Sequence, residues 1–357
     1  MNNSAPGSPL VSVLMAARNT GRFLPAAIES VLNETYTKFE FLIYDDASTD
    51  NSLEIITNYA GRDSRIRTYT SRQKAPTITQ IFKFLTEQSK GEYFIFQDSD
   101  DICLPYRIQC LMERAVQNPS ASLIFGKHLM VDEKLEKILQ TFGEPIWPFN
   151  YFLGGFITLC ASLVPIKCYN ICGGFDVTTQ WSGDYDLFLK LLEQAPFSYI
   201  NRVLYIYRRH YNSLTFKRPD DFNPLSIIRK KAVERNLPTV LHYLSRSDKN
   251  ISYRDYVALS YVIGSLVHEF FGQQLDNPVL KKCINRKFGF SYKSFLNLNH
   301  NYRFDGIENI EQLHKRILQL TENTKSCARM RLWKFNSRIR RTLKKFAKII
   351  FKSNSPS

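Results

Sequence analysis

The most chemically loaded stretch of the chain is Phe94–Asp101, FIFQDSDD. Two carboxylates, Asp98 and Asp100, stand in D-x-D spacing at the end of an apolar run and can face the same way. Hard oxygen ligands of this kind suit Mg2+ or Mn2+, and a cation held there binds a diphosphate. The plain alternative is a solvated Asp-rich turn. A second acidic strand end weighs against it. Phe39–Tyr44 (FEFLIY) stops at Asp45-Asp46, where a carboxylate can accept from a base N–H or a ribose hydroxyl. A cap for the following helix is the alternative there, but Ser48 and Asp50 are better placed for it. A third pair, Asp184 and Asp186 in WSGDYDLFLKLL, precedes an amphipathic run. One of the two reads as a helix N-terminal cap and the other as a general base.

The elements that must position these carboxylates follow from hydrophobic spacing. Val11–Met15 reads as a strand and Phe23–Leu32 as a helix. Phe39–Tyr44 is a second strand. A helix opens at Thr49–Ser52, Ile66–Thr70 is a strand, and Thr77–Ser89 is helical. Glu92–Phe96 is a strand and Pro105–Val116 a helix. Such β-α alternation argues for a parallel sheet with helices on both faces, and ligands bind beyond the carboxyl ends of its strands. Both acidic strand ends therefore fall on one rim. Further along, Ser122–Phe125, Leu159–Val164 and Val203–Arg208 read as strands and Asp186–Gln194 as a helix. From Pro224 to Leu320 the spacing is helical.

Taken in order, VSVLMAARNTGRFLPAAIESVLNETY, FEFLIYDDASTDNS, GEYFIFQDSDD, GGFD (173–176), GDYDLFLKLL and YRRHYNSL (207–214) resemble the inverting glycosyltransferases of family 2. The resemblance covers about residues 10–215. It implies the GT-A fold, a Rossmann-like, mixed and mostly parallel sheet flanked by helices, here with a helical C-terminal region. By position it implies that Ala17, Arg18 and Asn19 wrap the nucleotide base. Asp46, or Asp45 beside it, would read that base. Asp98 would lie near the ribose or sugar and beside the metal, Asp100 would be a metal ligand, and Asp184 the catalytic base. Tyr207–Ser213 would close over the diphosphate, with His210 either assisting there or a plain loop histidine. The implied cofactor is Mn2+ or Mg2+. The implied donor is a nucleotide-diphospho-sugar, a UDP-sugar foremost, and the acceptor a lipid-linked or nascent bacterial surface glycan.

The chain departs from the family in four places. Ala16-Ala17-Arg18-Asn19 stands where Pro-x-Tyr-Asn is frequent, and Ala47 replaces a glycine after the double Asp. Gly183 replaces the acid before the catalytic Asp, and APTITQIFKFL (75–85) replaces a Gly- and Asn-bearing segment. Gly183 and the altered 75–85 segment keep a rival open, a nucleotide-sugar-binding scaffold without transfer activity. A nucleotidyltransferase would want a Gly-rich basic phosphate loop after the first strand, and Arg18 with Gly21 is a poor version of one.

The 357 residues divide on this reading into a transferase domain at 10–218, with a nucleotide-binding half at 10–104 and an acceptor-binding half at 105–218. A helical region follows at 219–325, and a basic tail at 326–357. Net charge is +15, of which the tail supplies ten, leaving +5 over the other 325 residues. In the tail Leu332, Phe335, Ile339, Leu343, Phe346 and Ile350 fall within about an 80° arc at 100° per residue. Arg338, Arg341, Lys344, Lys345 and Lys348 lie opposite. This pattern reads as an interfacial membrane helix. Packing on the protein itself, a partner helix or nucleic acid are the alternatives, and nucleic acid lacks any supporting motif elsewhere. No signal peptide or spanning helix is read. The seven cysteines form no metal or disulfide pattern. The expected location is the cytoplasm, at the inner face of the membrane.

Overall fold

Residues buried on both faces of a parallel sheet read as continuous apolar runs rather than alternating ones. Strand β1 (Val11–Ala17) is such a run, and Val11, Val13, Leu14 and Met15 have no exposed surface. Each such side chain contributes about 1.5–3 kcal/mol by burial. In the computed structural model, which describes residues 8–144, 148, 151–152, 157–179, 182–213, 224–245 and 252–271, β1 is the middle of the sheet's first half. It pairs in parallel with β2 (Phe39–Asp46) and β4 (Tyr93–Phe96), and β2 pairs in parallel with β3 (Ile66–Ser71). Helices α1 (Leu24–Leu32), α2 (Ser52–Ala60) and α3 (Ile78–Gln88) make the crossovers. Helix α1 buries Leu24, Ala27, Ile28 and Val31, the stripe its spacing predicts. Strand β5 (Ile102–Cys103) and helix α4 (Arg107–Gln117) follow.

The second half is mixed. Strand β8 (Ser162–Pro165) runs antiparallel beside β4, and β6 (Leu123–Val131) runs antiparallel beside β8. Strand β9 (Phe197–Arg208) is parallel to β6 and antiparallel to β5, while β7 (Ile138–Phe142) forms a hairpin with β6. The order among the described strands is β3-β2-β1-β4-β8-β6-β9-β5, the mixed sheet expected. Short helix α5 (Ile166–Ile171) follows β8, and α6 (Gly183–Leu192) precedes β9.

Some elements differ from their sequence reading. Leu159–Ala161 is a single 3-10 turn, and only Ser162–Pro165 is strand. Thr158 accounts for the difference. Its hydroxyl accepts from Cys160 N at 3.3 Å and its carbonyl from Ser162 Oγ at 2.6 Å, local bonds that compete with a ladder. Helix α6 starts three residues earlier than the apolar spacing suggests, so Asp184 and Asp186 lie inside its first turn. Neither caps it: the N-cap is Ser182, in the left-handed region at φ 61°, with no side-chain cap bond.

Helices α7 (Pro224–Ser245) and α8 (Tyr253–Phe271) bear out helical spacing as far as residue 271; the rest of that region and the whole tail lie outside the described residues. Both pack on α6. The Tyr261 and Tyr253 hydroxyls donate to the carbonyls of Leu189 and Leu192, each at 2.9 Å. The Arg235 guanidinium holds Glu193, just past the end of α6, with Nη2 2.7 Å from Oε1. No helix among the described residues is long and apolar enough to cross a membrane. The five described cysteines are free.

One ion pair lies wholly inside. The side chains of Arg107 and Glu34 have 0% exposure, with Nε 2.8 Å from Oε1. Glu34 also accepts from Ile108 N at 3.0 Å. Arg107 Nη1 donates to the carbonyls of Phe96 at 3.2 Å and Cys160 at 3.0 Å. Burial pushes the Glu34 carboxyl up while the Arg107 charge pulls it down, and the arginine itself is held protonated. Removing one partner strands a buried charge. Arg107→Met should therefore lower unfolding free energy in urea by about 3–5 kcal/mol. Adding Glu34→Leu should recover only part, because two carbonyls have lost their donor. A loss under about 1 kcal/mol in the single variant would mean that the pair is dispensable.

Candidate functional site

Register puts the three strand ends on one rim. Ala17 on β1 lies beside Asp45 on β2, and Leu14 lies beside Phe96 on β4. Beyond Ala17 the chain turns through Asn19, at φ 50°, and is laced to the loop after β2. Asn19 N donates to Ser48 Oγ at 3.0 Å, and Thr49 N to Asn19 Oδ1 at 2.7 Å. Gly21 N donates to Asp50 Oδ2 at 3.0 Å. A Cβ at Gly21 would lie 2.0 Å from Asn51 Oδ1, so a larger residue there would displace that exposed side chain. Ala47 holds the left-handed conformation, φ 52°, that a glycine would take at no steric cost.

The two acids ending β2 have different surroundings. Asp46 Oδ1 accepts from Ala75 N at 2.6 Å, and Arg18 Nη1 donates to the Asp46 carbonyl at 2.8 Å and lies 3.7 Å from Oδ2. Asp45 Oδ2 accepts from Ser48 N at 3.1 Å, and its buried Oδ1 has no protein partner. Asp46 thus fastens the loop before α3 to Arg18, and Asp45 keeps an open acceptor.

The turn after β4 is strapped to the end of β9. Asp98 N donates to the Tyr205 hydroxyl at 3.1 Å. Arg208 N donates to Asp101 Oδ1 at 2.7 Å, and Arg208 Nε to the Asp100 carbonyl at 2.9 Å. His210 follows, with Nε2 2.9 Å from Asp100 Oδ2. The structure thereby brings together Asp98, Asp100 and His210, three residues singled out from sequence. It adds Asp101 and Arg208, which sequence reasoning passed over. The third acid of the DSDD run was the signal for Asp101.

Asp184, at the start of α6, is near enough for its charge to bear on Asp98. Asp184 Oδ1 accepts from Tyr185 N at 2.8 Å. Burial pushes the Asp184 carboxyl above its usual range. Burial, then the Asp100 charge and the more weakly felt Asp184 charge, raise Asp98 to about 7. Asp101 is raised well above its ordinary value by burial and by the charges of Asp100 and Asp98. Asp186 is different: it is fully buried and paired with Lys190 at 2.6 Å. Of the two acids in α6, Asp184 therefore faces the pocket and Asp186 belongs to the core.

Carboxylates crowded in a desolvated pocket suit a cation. Ligands 2.0–2.1 Å from an octahedral Mg2+ or Mn2+ stand about 3 Å apart in neighbouring positions. Asp100 Oδ2 and His210 Nε2, 2.9 Å apart, are hydrogen-bonded to one another, and the same two atoms could take neighbouring positions on such an ion. No group of three or more His, Cys, Asp or Glu among the described residues is arranged to hold a metal alone. Such an ion would complete its shell from phosphate oxygens and water, as Mg2+ commonly does.

Gly183 and the altered segment 75–85 turn out to meet. A Cβ on Gly183 would lie 2.6 Å from Thr79 Oγ1 and 2.9 Å from its Cγ2. Thr79 is a buried residue of α3. The two departures from the family pattern are one fit between α3 and the start of α6.

Comparison with known proteins places this geometry. Residues 12–175 match the family described as Glycosyl transferase family 2. Chondroitin synthase of Escherichia coli is 26% identical over 212 residues, 59% of this chain and 31% of that protein. The O-antigen biosynthesis glycosyltransferase WbnJ of Escherichia coli is 24% identical over 250 residues, 66% of this chain and 95% of that one. The chain spans only 31%, 22% and 21% of the two chondroitin synthases and the hyaluronan synthase that it matches. Among solved structures, S. aureus TarS 1–349 in complex with UDP-GlcNAc superposes with a TM-score of 0.55 at 13% identity, covering 78% of this chain and 80% of that one. That likeness shows the fold.

A methyl group at Gly183 should overpack this contact and cost about 1–3 kcal/mol. Thr79→Ala made together with Gly183→Ala should recover most of the loss in a urea titration. An additive double variant would show that the two positions do not share the space.

Proposed function

We propose that this chain, whose residues 12–175 match glycosyl transferase family 2, is a member of that family and moves one sugar from a nucleoside-diphospho-sugar to an acceptor hydroxyl with inversion at the anomeric carbon. The observation that carries the reading is the acidic turn at the end of β4, where His210 Nε2 meets Asp100 Oδ2 beside Asp98 and where the charge of Asp184 is felt. Ala17, Arg18 and Asn19 wrap the base, and Asp45 and Asp46 supply its acceptors. S. aureus TarS, of like fold, is known with UDP and UDP-GlcNAc, which supports a uridine donor.

Asp100 and His210, with Asp98 beside them, would hold Mg2+ or Mn2+, which neutralises charge on the departing nucleoside diphosphate. Arg208 keeps the Asp98–Asp101 turn in place. Asp184 takes the proton of the acceptor hydroxyl as that oxygen attacks the anomeric carbon. One base suffices, because attack opposite the leaving group forms no covalent glycosyl-enzyme. Retaining hydrolases, by contrast, need two flanking carboxylates. The half-buried Asp184 holds its proton more tightly than an exposed aspartate, which makes it a better base. The similarity to chondroitin and O-antigen enzymes supports a nascent or lipid-linked surface glycan as acceptor. A scaffold without transfer activity is the weaker reading, since every carboxylate that the chemistry needs is present.

The test is release of nucleoside diphosphate from a panel of nucleotide-sugars with Mn2+ or Mg2+ and a glycolipid extract. One donor should be turned over, and Asp100→Ala and Asp184→Asn should each abolish turnover while UDP still binds to Asp184→Asn. A base must be unprotonated to act, so kcat should fall as pH drops through a pKa above the ordinary 3.8 of an aspartate. Nucleotide binding with no turnover of any donor would favour the scaffold.

The basic amphipathic tail, 326–357, supports work at an anionic membrane surface, with about 1 kcal/mol of attraction per basic residue. A chain ending at 325 should leave the membrane fraction of lysed cells. Full retention of that truncated chain in the membrane fraction would remove this part of the reading.

A further inference from the structure

We propose that Phe23 is a positioning residue for the Asp100–His210 pair, acting through the His210 ring and through Arg208; this rests on the metal-assisted reading above. Phe23 is the residue immediately before α1, in the loop that follows β1. Its backbone is fixed from both sides, with Phe23 N donating to the Thr20 carbonyl at 2.8 Å and Ala27 N to the Phe23 carbonyl at 3.2 Å. Its ring lies against the His210 imidazole, with centroids 4.7 Å apart and planes at 43°. The Arg208 guanidinium stands 4.8 Å from the Phe23 centroid and that of Arg22 stands 5.0 Å away.

One aromatic ring thus touches both halves of the pair. It meets His210 directly. It meets Asp100 through Arg208, whose Nε donates to the Asp100 carbonyl at 2.9 Å. The negative face of an aromatic ring attracts a guanidinium, so the ring holds Arg208 where its backbone N–H also reaches Asp101. The far side of the arrangement is tied down as well. Arg208 Nη1 donates to the Glu133 carbonyl at 2.8 Å, and Arg22 pairs with the Glu133 carboxylate. Contact with Phe23 orients the imidazole plane, and so aims Nε2 at the point it shares with Asp100 Oδ2.

Groups that orient metal ligands without touching the metal typically change affinity by about 10–100-fold when removed. Phe23 is half-buried rather than core, so its substitution tests positioning apart from folding. The experiment titrates Mn2+ into the full chain with saturating UDP, reading free Mn2+ by its paramagnetic resonance. Wild type is compared with Phe23→Leu, Phe23→Met, Phe23→Tyr and His210→Ala. Phe23→Leu and Phe23→Met should weaken Mn2+ binding by about 10–100-fold, and Phe23→Tyr, which keeps the ring, should stay within a few-fold of wild type. The Mn2+ needed for half-maximal sugar transfer should rise in parallel, with kcat at saturating Mn2+ unchanged. A role confined to packing would lower the thermal midpoint and leave Mn2+ affinity where it was. That result in whichever of the Leu and Met variants folds overturns the proposal. Failure of wild type to bind Mn2+ with UDP is a different result, and it defeats the metal reading together with this inference.

Discussion

A guanidinium with no exposed surface holds the two halves of this sheet in relation to one another. Desolvating Arg107 and Glu34 costs several kcal/mol per ion, which their mutual attraction and the surrounding hydrogen bonds must offset. The pair spans three segments far apart in sequence: the turn after α1, the end of β4 at Phe96, and the turn before β8 at Cys160. The DSDD turn begins two residues beyond Phe96. The Cys160 thiol lies against Asp98 and slightly eases its raised pKa. Two walls of the acidic pocket therefore hang from one cation, and an apolar substitute could fill its volume without donating to either carbonyl.

The pocket itself is a problem in charge. Asp186 is answered by Lys190. At Asp98, Asp101 and Asp184 burial outweighs the hydrogen bonds they receive, and their carboxyls hold protons more tightly than usual. A diphosphate approaching this rim meets like charge at short range. A divalent cation removes that repulsion, and its binding requires the same carboxylates to give up their protons. Nucleotide and cation binding should for this reason be mutually dependent, an expectation that follows from the field alone.

The parallel half of the fold was legible because β1, β2 and β4 are largely apolar runs, two of them ending in acids, and each helix between carries a stripe of matching spacing. The less regular half was harder to read. Strand β7, ILQTF, is an edge strand with Ile138 62% exposed, so no buried face imposes alternation. Six-residue α5 is too short for helical spacing to register. The acids of the site could be picked out one at a time, because type and strand-end position mark them. Their partners could not: 110 positions separate His210 from Asp100, and 73 separate Arg107 from Glu34. A charged residue at a helix start reads as a solvent-facing one, so the buried arginine left no trace in the spacing. Gly183 and Thr79 looked like two losses and are one contact.

The strap from β9 to the DSDD turn also has a consequence in time. Asp101 receives its bond from a residue 107 positions downstream. At about 5–20 residues per second of synthesis, the turn waits on the order of 5–20 seconds for that donor. Through that interval β1–β4 and their helices can already assemble, since all of them precede the turn in the chain. The nascent chain can therefore carry a formed parallel half with an untethered acidic rim. The last strand to join the sheet is the one that fastens the rim, and competence for chemistry arrives with β9 rather than with the fold that precedes it.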